Sequence, residues 1–105
     1  MKKTELFNEH GFKDLTFSNY LVHESEFMKV INFNFRAGQQ LPVHSHELEG
    51  ELTLTILEGE GEFLAADGVS MPARAGDILV SEIAEPHGVR ATTDMRVLVT
   101  IAPPI

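Results

Sequence analysis

A chain of 105 residues carrying 16 acidic and 8 basic side chains, for a formal net charge of −8, fits one domain and not two ordinary ones. So acidic a surface repels nucleic acid and anionic lipid at long range, and no basic patch or aromatic–basic interleaving offsets it. No cysteine is present, which excludes disulfides and thiolate metal sites and leaves histidine and carboxylate as the strong metal ligands.

The opening Met1-Lys2-Lys3-Thr4-Glu5 leads into no signal-peptide core, and no apolar run approaches the ~18 residues of a membrane span, so a cytoplasmic protein is expected. Residues 4–8, ended by Gly11, are expected to form a turn or two of helix or a loose arm. Residues 29–35 alternate, with Ile31, Phe33 and Phe35 on one face, the period-two pattern of a half-buried strand. After a turn at Gly38, residues 41–46 are short and extended around Pro42. A β-branched strand over residues 52–57 follows, then a turn through Glu58-Gly59-Glu60-Gly61 into residues 62–65. Asp67-Gly68 is a strong hairpin signal, because a type I′ turn needs positive φ at both central residues.

Residues 69–71 return from that turn, and residues 78–81 form the next strand after Ala75-Gly76-Asp77. A loop holding Pro86-His87 leads to Val89 and Arg90. Residues 95–101 make the last strand, which Pro103-Pro104 stops. Seven or more strands between turn signals, with no long helix and no internal repeat, define an all-β chain, a sandwich or barrel.

The chemistry concentrates in Gly38-Gln39-Gln40-Leu41-Pro42-Val43-His44-Ser45-His46. On an extended chain, residues two apart share a face, about 7 Å apart. Two imidazoles so placed can offer nitrogens to one metal ion at about 2.1 Å. A third ligand must come from another strand, and His87, its approach stiffened by Pro86, is the candidate. A carboxylate from Glu47, Glu49 or Glu51 would complete the set. Three neutral imidazoles and a carboxylate suit one divalent ion of Fe, Mn, Ni, Co or Zn without choosing among them. An octahedral ion would keep about two positions open, as a reactive site requires.

These residues resemble the two motifs of the cupins. The first motif, Gly-x5-His-x-His-x3–4-Glu-x6-Gly, is similar to Gly38-x5-His44-x-His46-x4-Glu51, and the second, Gly-x5-Pro-x4-His-x3-Asn, matches at Gly76 and His87. Glu82 and Ala91 stand where the second motif has proline and asparagine. Seven residues rather than six separate Glu51 from Gly59, and strand parity puts Glu51 opposite the face shared by Leu52, Leu54 and Ile56. A bulge at Gly50-Glu51 would return it to that face; otherwise Glu49 replaces it, or the site is three histidines and water.

The resemblance implies a single antiparallel barrel (a jelly roll, or double-stranded β-helix) over residues 1–105, with an arm and first strand in residues 1–25 and the barrel in residues 26–102. It implies a metal held by His44, His46, Glu51 and His87 in the barrel mouth, where small ligands commonly bind. It also implies a homodimer, for which the uncovered edges of a short open barrel give separate support. A small oxygenated metabolite would be the substrate of a dioxygenase or an isomerase or lyase; a non-catalytic module holding a small molecule or the metal is the alternative. No separate general base stands out: Tyr20 and Lys29 lie upstream of both motifs and are not assigned to the pocket. His10 and His23 are expected at the surface, and Glu58, Glu60 and Glu62 in a solvated turn. Phe33, Phe35 and Phe63 are expected in the core with Met28, Met71 and Met95 as filler, and Asp67 and Asp94 in turns.

Overall fold

The computed structural model describes residues 1–105. One short helix, α1 (Leu6–Glu9), precedes nine strands: β1 (Ser18–Glu24), β2 (Lys29–Phe35), β3 (Gln40–His44), β4 (Glu51–Glu58), β5 (Glu60–Leu64), β6 (Ser70–Arg74), β7 (Ile78–Glu82), β8 (His87–Ala91) and β9 (Met95–Ala102). They form two antiparallel sheets, a five-stranded one in the order β1-β2-β9-β4-β7 and a four-stranded one in the order β3-β8-β5-β6. The chain is therefore an all-β jelly roll. No helix is long and apolar enough to cross a membrane.

Side chains alternate across a strand, so register sorts them into rows. On the inner face of the larger sheet, Ile56, Val97 and Phe33 form one row, Leu54, Val99 and Ile31 the next, and Leu52, Ile101 and Lys29 a third. Phe35, Phe63, Ala73, Val89, Ala91 and Met95 close the core from both sheets. The expected Asp67-Gly68 turn is present, with φ of 60° at Asp67 and 73° at Gly68. Glu62 and Glu58 of the acidic turn meet Arg90 (2.8 Å) and Arg96 (3.3 Å). Asp94, in the turn before β9, accepts from the Ala37 amide (3.0 Å) and from Arg36 (2.9 Å).

The outer face of the larger sheet departs from the expected exposure. Asn32 and Asn34 on β2 are fully buried there, because the N-terminal arm lies over them. His10 is buried too, which corrects its placement at the surface. Its Nδ1–H donates to Asn32 Oδ1 (2.6 Å), and its Nε2 accepts from the Ser18 hydroxyl (2.7 Å). The Asn32 amide is itself committed to the Val97 carbonyl (3.0 Å), which settles the direction of the His10 bond. Arg96 donates to the His10 carbonyl (2.9 Å) while its guanidinium sits over Phe7 and Phe12. A polar patch that alternation alone assigns to solvent is thus a buried latch for the arm. Met71 is exposed and Met28 half-buried, so of the three methionines named as filler only Met95 lies in the core. His23 is half-buried at the end of β1.

Candidate metal centre

The site begins with an irregularity in β3. Gln40 pairs with Arg90 and Leu41 with Val89, but the next partner of His87 is His44, so three steps along β3 match two along β8. This bulge falls at Pro42 and Val43, where proline has no N–H for the ladder. It changes the parity of the strand, so that Leu41 and His44 both line the interior. The extra residue needs room, and Gly88 provides it. A Cβ on Gly88 would lie 2.6 Å from the Leu41 carbonyl oxygen and 3.0 Å from the Val43 nitrogen, so only glycine lets β3 settle so closely on β8.

With that geometry, the His44 and His87 rings stand 4.6 Å apart between centroids. His46 lies just beyond β3, in the β3–β4 loop, with its ring centroid 5.8 Å from that of His44. Its amide donates to the Ile83 carbonyl (3.2 Å), and the Ile83 amide donates to the Gly50 carbonyl (3.0 Å). Ile83, in the β7–β8 loop, is fully buried. It ties the loop bearing His46 to the loop that precedes His87. Gly50 has φ of +139°, and a Cβ there would meet the Ile83 Cδ1 at 2.7 Å.

Two imidazoles are oriented by the backbone. His44 Nδ1–H donates to the Pro42 carbonyl (2.8 Å), and His87 Nδ1–H donates to the Glu85 carbonyl (2.6 Å). In both, the tautomer is fixed with Nε2 unprotonated and free to accept a metal, the usual arrangement of a ligating histidine. Burial pushes the His87 pKa below the ordinary 6.5; the Glu85 carbonyl opposes this, and the neighbouring His44 and His46 reinforce it. A neutral imidazole is the form that binds metal.

The three rings border a cavity of about 380 Å³ whose other walls are Ile31, Phe33, Leu41, Leu52, Leu54, Val99, Ile101, Ile105 and Lys29. Phe33 is therefore both packed against the core and a wall of the cavity. Around an ion bonded at about 2.1 Å, imidazole centroids stand roughly 4.5–6 Å apart, a spacing the two measured pairs meet. As the side chains stand, however, no group of three or more His, Asp or Glu residues is arranged to hold a metal ion. His46, exposed on its loop, is the member with freedom to turn.

Glu51 does not join them in this structure. It pairs in unbroken register with Glu82 and Ala102, with no bulge at Gly50-Glu51 to rotate it, and is exposed on the face opposite Leu52. It borders a separate surface cleft with Glu49 and Glu82, and Glu47 is also exposed. Lys29, in contrast, shares the inner row of Leu52 and Ile101 and lines the cavity. Its parity with Ile31 and Phe33 was the signal that could have found it. Tyr20 points to the outer face and donates to Glu9 (3.0 Å).

Residues 32–101 match the family profile described as the cupin domain. No protein of curated function matches the chain. Among solved structures, an RmlC-like cupin from Desulfovibrio desulfuricans is 56% identical, with a TM-score of 0.97 over 100% of this chain and 99% of that one. A double-stranded β-helix protein from Klebsiella pneumoniae is 21% identical, with a TM-score of 0.89 over 98% of this chain and 90% of that one. The DMSP lyase DddQ from Ruegeria pomeroyi is 26% identical, with a TM-score of 0.71 over 83% of this chain and 47% of that one. From the two motifs, the barrel they sit in and the match across two-thirds of its length, the chain belongs to the cupin family.

Proposed function

We propose that this cupin holds one divalent metal ion (Fe, Mn, Ni, Co or Zn) through His44, His46 and His87 and acts on a small oxygenated metabolite, by dioxygenase or by isomerase or lyase chemistry. The observation that carries the reading is three imidazoles bordering a cavity whose other walls are apolar but for Lys29, two of them with Nδ1 committed to backbone carbonyls and Nε2 free. The ion would supply Lewis acidity or a redox centre beside the open volume. The protein's part is to keep His87 neutral and oriented, to bring His46 inward on its loop, and to exclude water with the aliphatic wall. With no carboxylate lining the cavity, the set is three histidines and solvent rather than one including Glu51 or Glu49. A lyase among the proteins sharing this barrel supports that branch of the chemistry.

Elemental analysis of purified wild type beside His44→Ala and His87→Ala tests the metal. Near-stoichiometric metal that both variants lose, and that Glu51→Gln retains, is the expected result. Protein that neither contains nor takes up any of the five ions overturns it. The non-catalytic reading is favoured by one observation: besides the histidines, Lys29 is the sole polar side chain lining the cavity, so acid–base groups are few. Oxygen uptake or loss of keto-acid absorbance on screening decides for the enzyme.

A homodimer is part of the same proposal. On the outer face of the larger sheet, Val80, Thr53 and Thr100 form one row and Ile78, Thr55 and Leu98 another, with no charge among them on a chain of net charge −8. Ile78 and Val80 are more than half exposed. Such a patch on so charged a protein fits a subunit contact. Light scattering after size-exclusion chromatography that finds a monomer of 11.7 kDa refutes it.

A further inference from the structure

We propose that the cavity is built for an organic anion, a small carboxylate with an apolar body, whose charged end is received by Lys29 while its body lies toward the histidines. The inference rests on the cavity being the ligand site and names the class of ligand.

Lys29 begins β2 and faces inward in the row of Leu52 and Ile101. Its side chain is 25% exposed, the stem lying along the aliphatic walls and the ammonium reaching the rim, where its bond is exposed to solvent. The partners it has are weak. Glu24, directly across β1, approaches to 3.8 Å, beyond hydrogen-bond length. The main-chain oxygen of Ile105 accepts at 3.3 Å, at the long end of the range. Ile105 also lines the cavity, so the oxygen that Lys29 meets belongs to the cavity wall. No other cation lines the volume, and the rest of the surface repels anions. One ammonium at the mouth of a largely apolar cavity therefore offers a carboxylate what the acidic exterior does not. The volume, about 380 Å³, lies near the low end of the range for small-molecule sites, which sets the size of the apolar body.

Calorimetric titration with butanoate, hexanoate and octanoate, each paired with its primary amide, tests this on metal-free and metal-loaded protein. Wild type is expected to bind at least one carboxylate about tenfold more tightly than its amide in both forms. Lys29→Met should lose that preference while keeping the affinity for the amide, and Lys29→Arg should retain it. An unchanged melting temperature shows that the variants fold. Equal binding of acid and amide, no saturable binding of any carboxylate, or a preference that survives in Lys29→Met overturns the proposal. A preference present only in metal-loaded protein and indifferent to Lys29→Met also overturns it, by assigning the anion to the metal. A preference that follows Lys29 in protein that takes up no metal upholds the anion site while the metal reading fails, so the two are separable.

Discussion

Replacing Ile83 with alanine tests whether the site is held by packing or only by its backbone bonds. Ile83 is fully buried in the β7–β8 loop, and its main chain bonds to both His46 and Gly50. The substitution leaves those two hydrogen bonds possible and removes three carbons from the core. At ~0.8 kcal/mol per buried methylene the transfer loss is about 2.4 kcal/mol. Incomplete collapse around Gly50 and Pro103 adds a cavity cost, for a total of roughly 3 kcal/mol, inside the usual range of ~2–5 kcal/mol. In a domain of this size that lowers the melting temperature by about 12–24 °C. Urea denaturation of metal-free protein gives the free energy, with exposed Val69→Ala as the control within about 0.5 kcal/mol. A loss under about 1 kcal/mol for Ile83→Ala would mean that main-chain bonds alone fix the two loops, and the packing argument would fall.

Gly88→Ala should destabilise the protein by roughly 1–3 kcal/mol and lower its metal content, because the added Cβ meets the β3 backbone; denaturation and elemental analysis on one preparation check both. His10→Ala should cost about 1–3 kcal/mol, since it strands the Asn32 and Ser18 groups, yet leave metal content unchanged; a parallel loss of metal would contradict the separation of latch and site. Because the folded His87 pKa lies below 6.5, the unfolded chain binds the extra proton first on acidification. Stability of the metal-free protein from this group is full above 6.5 and declines as pH falls toward the lowered value. Thermal melts across that window should show the decline in wild type and a shallower one in His87→Asn.

Much of the barrel was legible because its inner rows obey simple alternation. Ile56, Val97 and Phe33 each announce their strand, and the Asp67-Gly68 turn announces its own conformation. Where alternation misleads, it is because it treats each strand as regular and each outer face as wet. Asn32 and Asn34 are polar residues on an outer face that the distant N-terminal arm covers with His10, and no local pattern reveals the cover. His44 and His46 are two apart in sequence, but the bulge at Pro42-Val43 turns His44 inward and His46 lies in a loop. At Glu51 the same parity argument, applied without a rescuing bulge, is the one that holds. Lys29 lies upstream of both motifs, and only its parity with Ile31 and Phe33 marks it as inward-facing.

The cavity draws its imidazoles and most of its apolar wall from different sheets. Its imidazoles come from β3, β8 and the loop after β3, while Ile31, Phe33, Leu52, Leu54, Val99 and Ile101 come from β2, β4 and β9 of the larger sheet. The rung of Leu54, Val99 and Ile31 is where close packing gives way to open volume. Bulkier or smaller side chains on that one rung would shorten or deepen the chamber. The shape of the chamber and the set of histidines are thus carried largely by different strands, so one can change while the other is kept.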